Sequence, residues 1–239
     1  MTYWIGRIEP SMWFEGAWWQ EILPEDVRLA VLSLGVQRLV DEDLERAHAA
    51  ILEKVEMLDR EGVDVINVGG SPVVSVHGRA GHERLLDDIA AITSRPFVTS
   101  LQAEIEGLRD AGAGRVAIAS PYPVAQTAKR VSVLADEGFE VVGHRSLDIE
   151  RTRDIAQLEP DRVLTLAIEV AEAHPGADVI YLPCGSLPVT GVIDEIERLT
   201  GKNVVTNVQA QIAANLRRLN YPTPVQGYGQ LLERIATAA

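Results

Sequence analysis

The chain's one cysteine, Cys184, stands in the run ADVIYLPCGSLPVTGVI from Ala177 to Ile193. Val179, Ile180 and Leu182 read as a buried strand that ends in a Pro-Cys-Gly-Ser turn, Pro183 to Ser186, ahead of a helix. In open α/β sheets this strand end is where ligands bind. Glycine beside the thiol lets backbone N–H groups come close to a ligand. A thiol there can carry a proton to or from carbon, or it can be a small buried hydrophobe. Three other strand-end loops bear on the choice. Gly69-Gly70-Ser71-Pro72 follows strand Val63–Val68, Pro10-Ser11 follows strand Tyr3–Ile8, and Tyr122 follows strand Arg115–Ala119. Together they offer hydroxyls and backbone N–H donors that can hold an anion without cationic side chains.

An internal repeat relates these loops. VDVINVGGSPV, from Val63, matches ADVIYLPCGSLPV, from Ala177, so that Asp64 falls on Asp178, Ile66 on Ile180 and Gly70 on Cys184. Further on, LLDDIAAITSRPFVTSLQAEI, from Leu85, lies ungapped on VIDEIERLTGKNVVTNVQAQI, from Val192. Ile5 to Pro10 mirrors Val116 to Pro121. A unit of roughly 110 residues is too long for a solenoid repeat. It is a duplicated α/β lobe, and equivalent loops of two such lobes meet at one cleft, a usual small-molecule site. Gly69–Ser71 is therefore expected to face Pro183–Ser186, with Ser11 and Tyr122 nearby. A symmetric site with a thiol on each side would serve both faces of a substrate. This chain has Cys184 on one side and Gly70 on the other, which leaves one acid/base.

The elements that must hold these loops alternate strand with helix, which means parallel sheets covered on both faces. The expected architecture is α/β, two pseudo-symmetric Rossmann-like lobes with the site in the cleft between them. The first lobe is assigned to 1–112 plus 208–239 and the second to 113–207. Leu44, Ala47, Ile51, Val55 and Leu58 predict one helix over 41–61, capped by Asp41 and ended by Gly62. Later helices are expected over 81–93, 101–110, 161–173, 190–199 and 208–219, with strands at 97–99, 140–142 and 203–206. Trp13, Phe14, Trp18 and Trp19 crowd the segment 11–24, which is expected to pack onto the body or a partner subunit, or to cover the pocket.

With 239 residues, 46% of them hydrophobic, the chain can bury one large domain or two small ones. A net charge of −13 argues against nucleic acid as a partner. No run of about 18 apolar residues is present, so no membrane span is expected, and MTYWIGRIEP lacks the pattern of a signal peptide. One cysteine permits neither an internal disulfide nor a Cys-rich zinc site. A cytoplasmic protein is expected, with a homo-oligomer left open.

At these residues the chain resembles the aspartate/glutamate racemase superfamily, in the branch holding arylmalonate decarboxylase and maleate cis-trans isomerase. The likeness runs through the Pro10 loop, Gly70-Ser71, RVAIASPY up to Tyr122, GHRSLDI from Gly143, Cys184-Gly185, and GYG at Gly227 to Gly229. Racemases and isomerases of that superfamily generally carry a cysteine in each lobe. The decarboxylase keeps only the second and has glycine at the first, the pattern of Gly70 and Cys184 here. The resemblance implies a cofactor-independent lyase without a metal, acting on a malonate-like dicarboxylate, with an aryl group permitted as its substituent. Cys184, Tyr122 and Ser71 would be catalytic, and Pro10, Ser11, Gly70, Pro72, Gly185 and Ser186 would bind substrate. Ser71 falls where the decarboxylase has threonine. Pro72 departs from the pattern by replacing the next hydroxyl, a loss Ser186 would have to make good. An ordinary thiol, with a pKa near 8.5, is mostly protonated at neutral pH and suits the acid role. The alternatives are a maleate-type isomerase or a racemase of a small carboxylic acid, and a non-catalytic carboxylate-binding protein.

Other polar residues carry weaker signals. His77 lies in the longer loop of the first half and could reach the cleft or stay in solvent. His144-Arg145 could contact an anion. Asp87-Asp88 and Asp194-Glu195 read as solvated helix faces. Gly69-Gly70 is a weak phosphate signal without a following Lys-Ser/Thr. Asn207 and Gln209 could contact substrate, although the mirrored Gln102 and Gln209 read better as equivalent structural residues.

Overall fold

The protein was analysed as a computed structural model, which describes residues 2–13 and 15–234. Its first sheet is built from β1 (Tyr3–Glu9), β2 (Val27–Ser33), β3 (Val65–Val68) and β4 (Phe97–Thr99), in the order β2-β1-β3-β4. The second is built from β5 (Arg115–Ser120), β6 (Glu140–Ser146), β7 (Val179–Leu182) and β8 (Asn203–Thr206), in the order β6-β5-β7-β8. All pairs are parallel, with Ile5 beside Val65 in one sheet and Val116 beside Val179 in the other. Every residue of β3 and β7 is buried. Central parallel strands, packed on both faces, take continuous apolar runs rather than alternating ones.

The helices are α1 (Glu15–Ile22), α2 (Asp41–Ala49), α3 (Ile51–Glu61), α4 (Ser71–Val74), α5 (Gly78–Ile92) and α6 (Ser100–Asp110) in the first half. They are followed by α7 (Val124–Asp136), α8 (Thr152–Ala156), α9 (Pro160–Ala173), α10 (Ile193–Thr200), α11 (Asn207–Arg218) and α12 (Gln230–Glu233). The sequence marked most of these to within a turn, and four features differ. The single helix expected over 41–61 is two, because Ala50 donates to Ala47 in a tightened turn between them. Asp41 does not cap. Its carboxylate receives Lys129 Nζ at 2.6 Å and Gln126 Nε2 at 3.2 Å, which ties α2 to α7 of the other half. Gly62, in the left-handed region at φ 80°, does end α3. The loop after Gly70 folds as α4, and β6 runs on to Ser146.

The aromatic segment 11–24 is mostly helical. Trp19 is fully buried, with the Arg7 guanidinium 4.0 Å from its ring. This helix packs onto β2 and α11, so the body is what Trp19 covers. Phe14 lies outside the described residues.

α6 and α11 are repeat equivalents, and they pack on one another where the halves meet. Each opens with a capping box: Thr99 with Gln102, and Thr206 with Gln209. The mirrored glutamines thus do the same structural job, each satisfying backbone N–H groups that a helix start leaves open. Small residues let the helices approach. A Cβ on Gly107 would stand 3.1 Å from the Ala210 Cβ. Gly107→Leu should therefore force the helices apart and destabilise the fold by about 1–3 kcal/mol, measured as a lower urea midpoint at unchanged slope.

Candidate active site

Strand ends from both sheets converge on one pocket. Its walls include Pro10, Ser11, Gly70, Ser71, Pro72, Tyr122, Cys184, Gly185 and Ser186. The structure thus brings together all nine residues singled out in the sequence, four from one sheet's loops beyond Pro10 and four from the other's. Asn207, at the start of α11, also lines it, while Gln209 is used in its capping box. The remaining wall is apolar: Val36, Leu39, Leu44, Val73 and Ile155. The enclosed volume is only about 30 Å³.

None of Trp13, Trp18 and Trp19 lines this pocket, although the Trp13 ring lies 5.5 Å from the guanidinium of Arg153, next to Thr152. Two equivalent connections, the one after β2 and the one after β6, are zipped together at its wall. Leu39 donates its N–H to the Glu150 carbonyl at 2.9 Å, and Thr152 donates its N–H to Gln37 at 3.1 Å. The Thr152 hydroxyl donates to the Val36 carbonyl at 3.2 Å. Val36, Leu39 and Ile155 were missed in the sequence because each is one apolar residue in a loop, without periodicity to mark it.

The two flanking glycine loops are not alike. Gly70 has φ 86°, and a Cβ there would meet Pro10 Cβ at 2.8 Å. A side chain at 70 would need both a strained backbone and a displaced proline. Cys184 is buried and forms no disulfide. Among the described residues, the backbone N–H groups of Gly70, Ser71 and Gly185 make no hydrogen bond, so they are available to a ligand.

The hydroxyls behave differently from the sequence expectation. Tyr122 was expected to donate to substrate, yet its OH donates to the Pro183 carbonyl at 2.6 Å. It fixes the turn that carries Cys184. Burial, then the proximity of Cys184, pushes the Tyr122 hydroxyl well above the ordinary tyrosine value, so it keeps its proton. Ser71 likewise donates to Glu104 Oε2 at 2.6 Å and presents lone pairs to the pocket.

Glu104 is the residue the sequence reading did not find. It is fully buried, and its other oxygen accepts Asn207 Nδ2 at 2.6 Å. Arg130 Nη1 stands 3.4 Å from Oε2. The fully buried Tyr181 hydroxyl also faces this carboxylate, and burial, then the Glu104 charge, raises it well above the ordinary tyrosine value. A signal for Glu104 existed: Leu101, Glu104, Ile105 and Leu108 form an apolar helical stripe with one carboxylate in it, at the repeat position of Gln211.

His77 is exposed and meets Glu45 at 3.2 Å, away from the pocket. Arg145 pairs with Glu169 at 3.2 Å, and Asp87 and Asp88 are exposed. Asp194 is exposed too and accepts the Gly229 N–H at 2.7 Å. Among the described residues no group of three or more His, Cys, Asp and Glu side chains is arranged to hold a metal ion, and no helix is long and apolar enough to cross a membrane.

Comparison with known proteins bears on the family and the fold. A family model described as arylmalonate decarboxylase matches residues 17–232. Arylmalonate decarboxylase of Bordetella bronchiseptica is 27% identical over 209 residues, 87% of each chain. Maleate isomerase of Pseudomonas putida is 31% identical over 184 residues, 74% of this chain and 72% of the relative. The crystal structure of a double mutant of arylmalonate decarboxylase in its liganded form superposes with a TM-score of 0.90, at 26% identity, over 96% of this chain and 98% of that one.

Two outcomes test the electrostatics of the site. Glu104→Leu strands the Arg130 charge and removes the acceptor of Ser71 and Asn207. Breaking a buried pair from one side should cost about 3–5 kcal/mol, read from denaturant unfolding. His82, in a neighbouring wall, is lowered from its ordinary 6.5 to about 4, chiefly by burial. The unfolded chain then takes up a proton as pH falls below about 6.5 while the folded one does not until about 4. The stability His82 contributes is therefore full above that window and is lost as pH falls through it. His82→Gln should lose less thermal stability between pH 7 and pH 5 than the wild type.

Proposed function

Because the chain belongs to the arylmalonate decarboxylase family, we propose that it releases CO2 from a malonate-like dicarboxylic acid and protonates the resulting enediolate with Cys184. The observation that carries this reading is one buried thiol opposite Gly70, which has no side chain to serve as a second acid/base.

The retained carboxylate lies against the free N–H groups of Gly70, Ser71 and Gly185. Donors aimed at developing negative charge usually supply the largest share of such a rate enhancement. The departing carboxylate lies against Val36, Leu39, Leu44 and Ile155, where its charge is poorly solvated. Breaking the carbon–carbon bond leaves its electron pair on the α-carbon, delocalised into the retained carboxylate as the enediolate. The Cys184 S–H proton goes to that carbon from one face, and the thiolate recovers a proton from water. Tyr122 acts on this step by holding Pro183, and so the turn of Cys184, in place.

The maleate isomerase relative supports a second use of the same thiol, in which it assists isomerisation of an enedioate. One experiment separates the two. Proton NMR in D2O with an aryl-methyl malonate and maleate should give a deuterated monoacid from the malonate. Cys184→Ala should lower its rate by about 10²–10⁴-fold, the usual worth of a positioned acid. Fumarate from maleate with the malonate untouched would carry the isomerase reading instead.

A further inference from the structure

Pro72, Tyr122 and Leu44 wall the Cys184 pocket on one side and a second, larger cavity on the other. This neighbour, of about 260 Å³, lies between α5 and α7. At its back is Arg130, with a side chain only 3% exposed. A guanidinium has five N–H donors. Among the described residues Arg130 makes one hydrogen bond, the long 3.4 Å contact to Glu104, and its Nε is buried with no partner. Glu104 holds Ser71 and Asn207 at 2.6 Å each and meets Arg130 through one oxygen only, at 3.4 Å.

The other charged groups around the cavity are engaged elsewhere or lie at its mouth. Lys129 is held by Asp41 at 2.6 Å, and Arg79 by Glu83 at 3.0 Å. Glu137 is paired with Arg109 at 3.3 Å, and Asp136 is exposed. Buried donors left unmet are costly, and the planar fork of arginine matches a carboxylate with two parallel hydrogen bonds. The Cys184 pocket itself, at about 30 Å³, is far smaller than its neighbour and cannot hold a whole aryl-bearing substrate.

We propose that the cavity at Arg130 continues the substrate site, and that Arg130 receives a second acidic group, a carboxylate, at the end of the substrate remote from the carbon Cys184 protonates. The inference rests on the decarboxylase reading and narrows its substrate to a malonate bearing an acidic tail. Tyr122 and Pro72 then form the waist between reacting end and tail.

The test compares two aryl-methyl malonates, one with a para-carboxylate and one with a para-methyl group. The wild type should favour the acidic tail by about tenfold or more in kcat/KM, the worth of a charge-assisted pair. That ratio should collapse in Arg130→Met. Because Arg130→Met can disturb folding, Ser132→Glu serves as the second variant: it adds a negative charge on an exposed residue of the cavity wall and should lower the same ratio. Equal kcat/KM for the two substrates in the wild type, or a preference that survives both variants, overturns the proposal. If neither malonate turns over, the decarboxylase reading fails, and the subsite is judged alone by titrating glutarate while following the Arg130 Nε–H signal by NMR. A saturable shift supports the subsite, and an unmoved signal overturns it.

Discussion

A carboxylate with no access to water, Glu104, joins the two halves of this molecule. It sits on α6, and its partners come from three other places: Ser71 at the start of α4, Asn207 at the start of α11, and Arg130 on α7. From Asn207 the chain of hydrogen bonds continues through Gln211 to Arg7 in β1. An isolated charge buried in this way would be prohibitively costly, so the network holds only if both lobes are folded and docked together. The same contacts set the orientation of Ser71 at the pocket. Docking of the lobes and shaping of the site are one event energetically.

Around that junction the fold is close to two-fold symmetric, and the chemistry is not. Both sheets have the same strand order, both interface helices begin with a Thr-x-x-Gln capping box, and both glycine-containing turns face the same pocket. The symmetry breaks at two atoms' worth of side chain, Cys184 against Gly70. Maleate isomerases are among the relatives of this chain, and this asymmetry is the feature on which the proposed decarboxylation rests.

Tyr122 and the connections after β2 and β6 show how positioning is divided from reaction. Tyr122 directs its hydroxyl to the Pro183 carbonyl, and the connections pair with each other at the pocket wall. Neither presents the reacting group, yet each restricts where Cys184 and the substrate can stand. Backbone N–H groups are left as the donors, which suits a strongly acidic chain that has no cationic side chain in the pocket itself.

The repeat, the alternation of strand and helix, the parallel sheets and the convergence of the strand-end loops were all legible in the sequence. They depend on local periodicity and on one internal comparison. Gly70 against Cys184 could be read for the same reason, since a pair of equivalent positions needs no coordinates. What only the tertiary structure decided is the direction of each polar group. The sequence offers Ser71 and Tyr122 as hydroxyls, but whether they face substrate, Glu104 or the Pro183 carbonyl depends on neighbours from distant parts of the chain. Asp41 reads as a cap and instead reaches Lys129, because tertiary proximity gives it a stronger partner than its own helix start. Glu104 stands out only as the one carboxylate in an apolar helical stripe, and Arg130 looks like an ordinary surface charge in isolation. Which partners they meet follows from the packing of lobe against lobe, a long-range fact that no local pattern encodes.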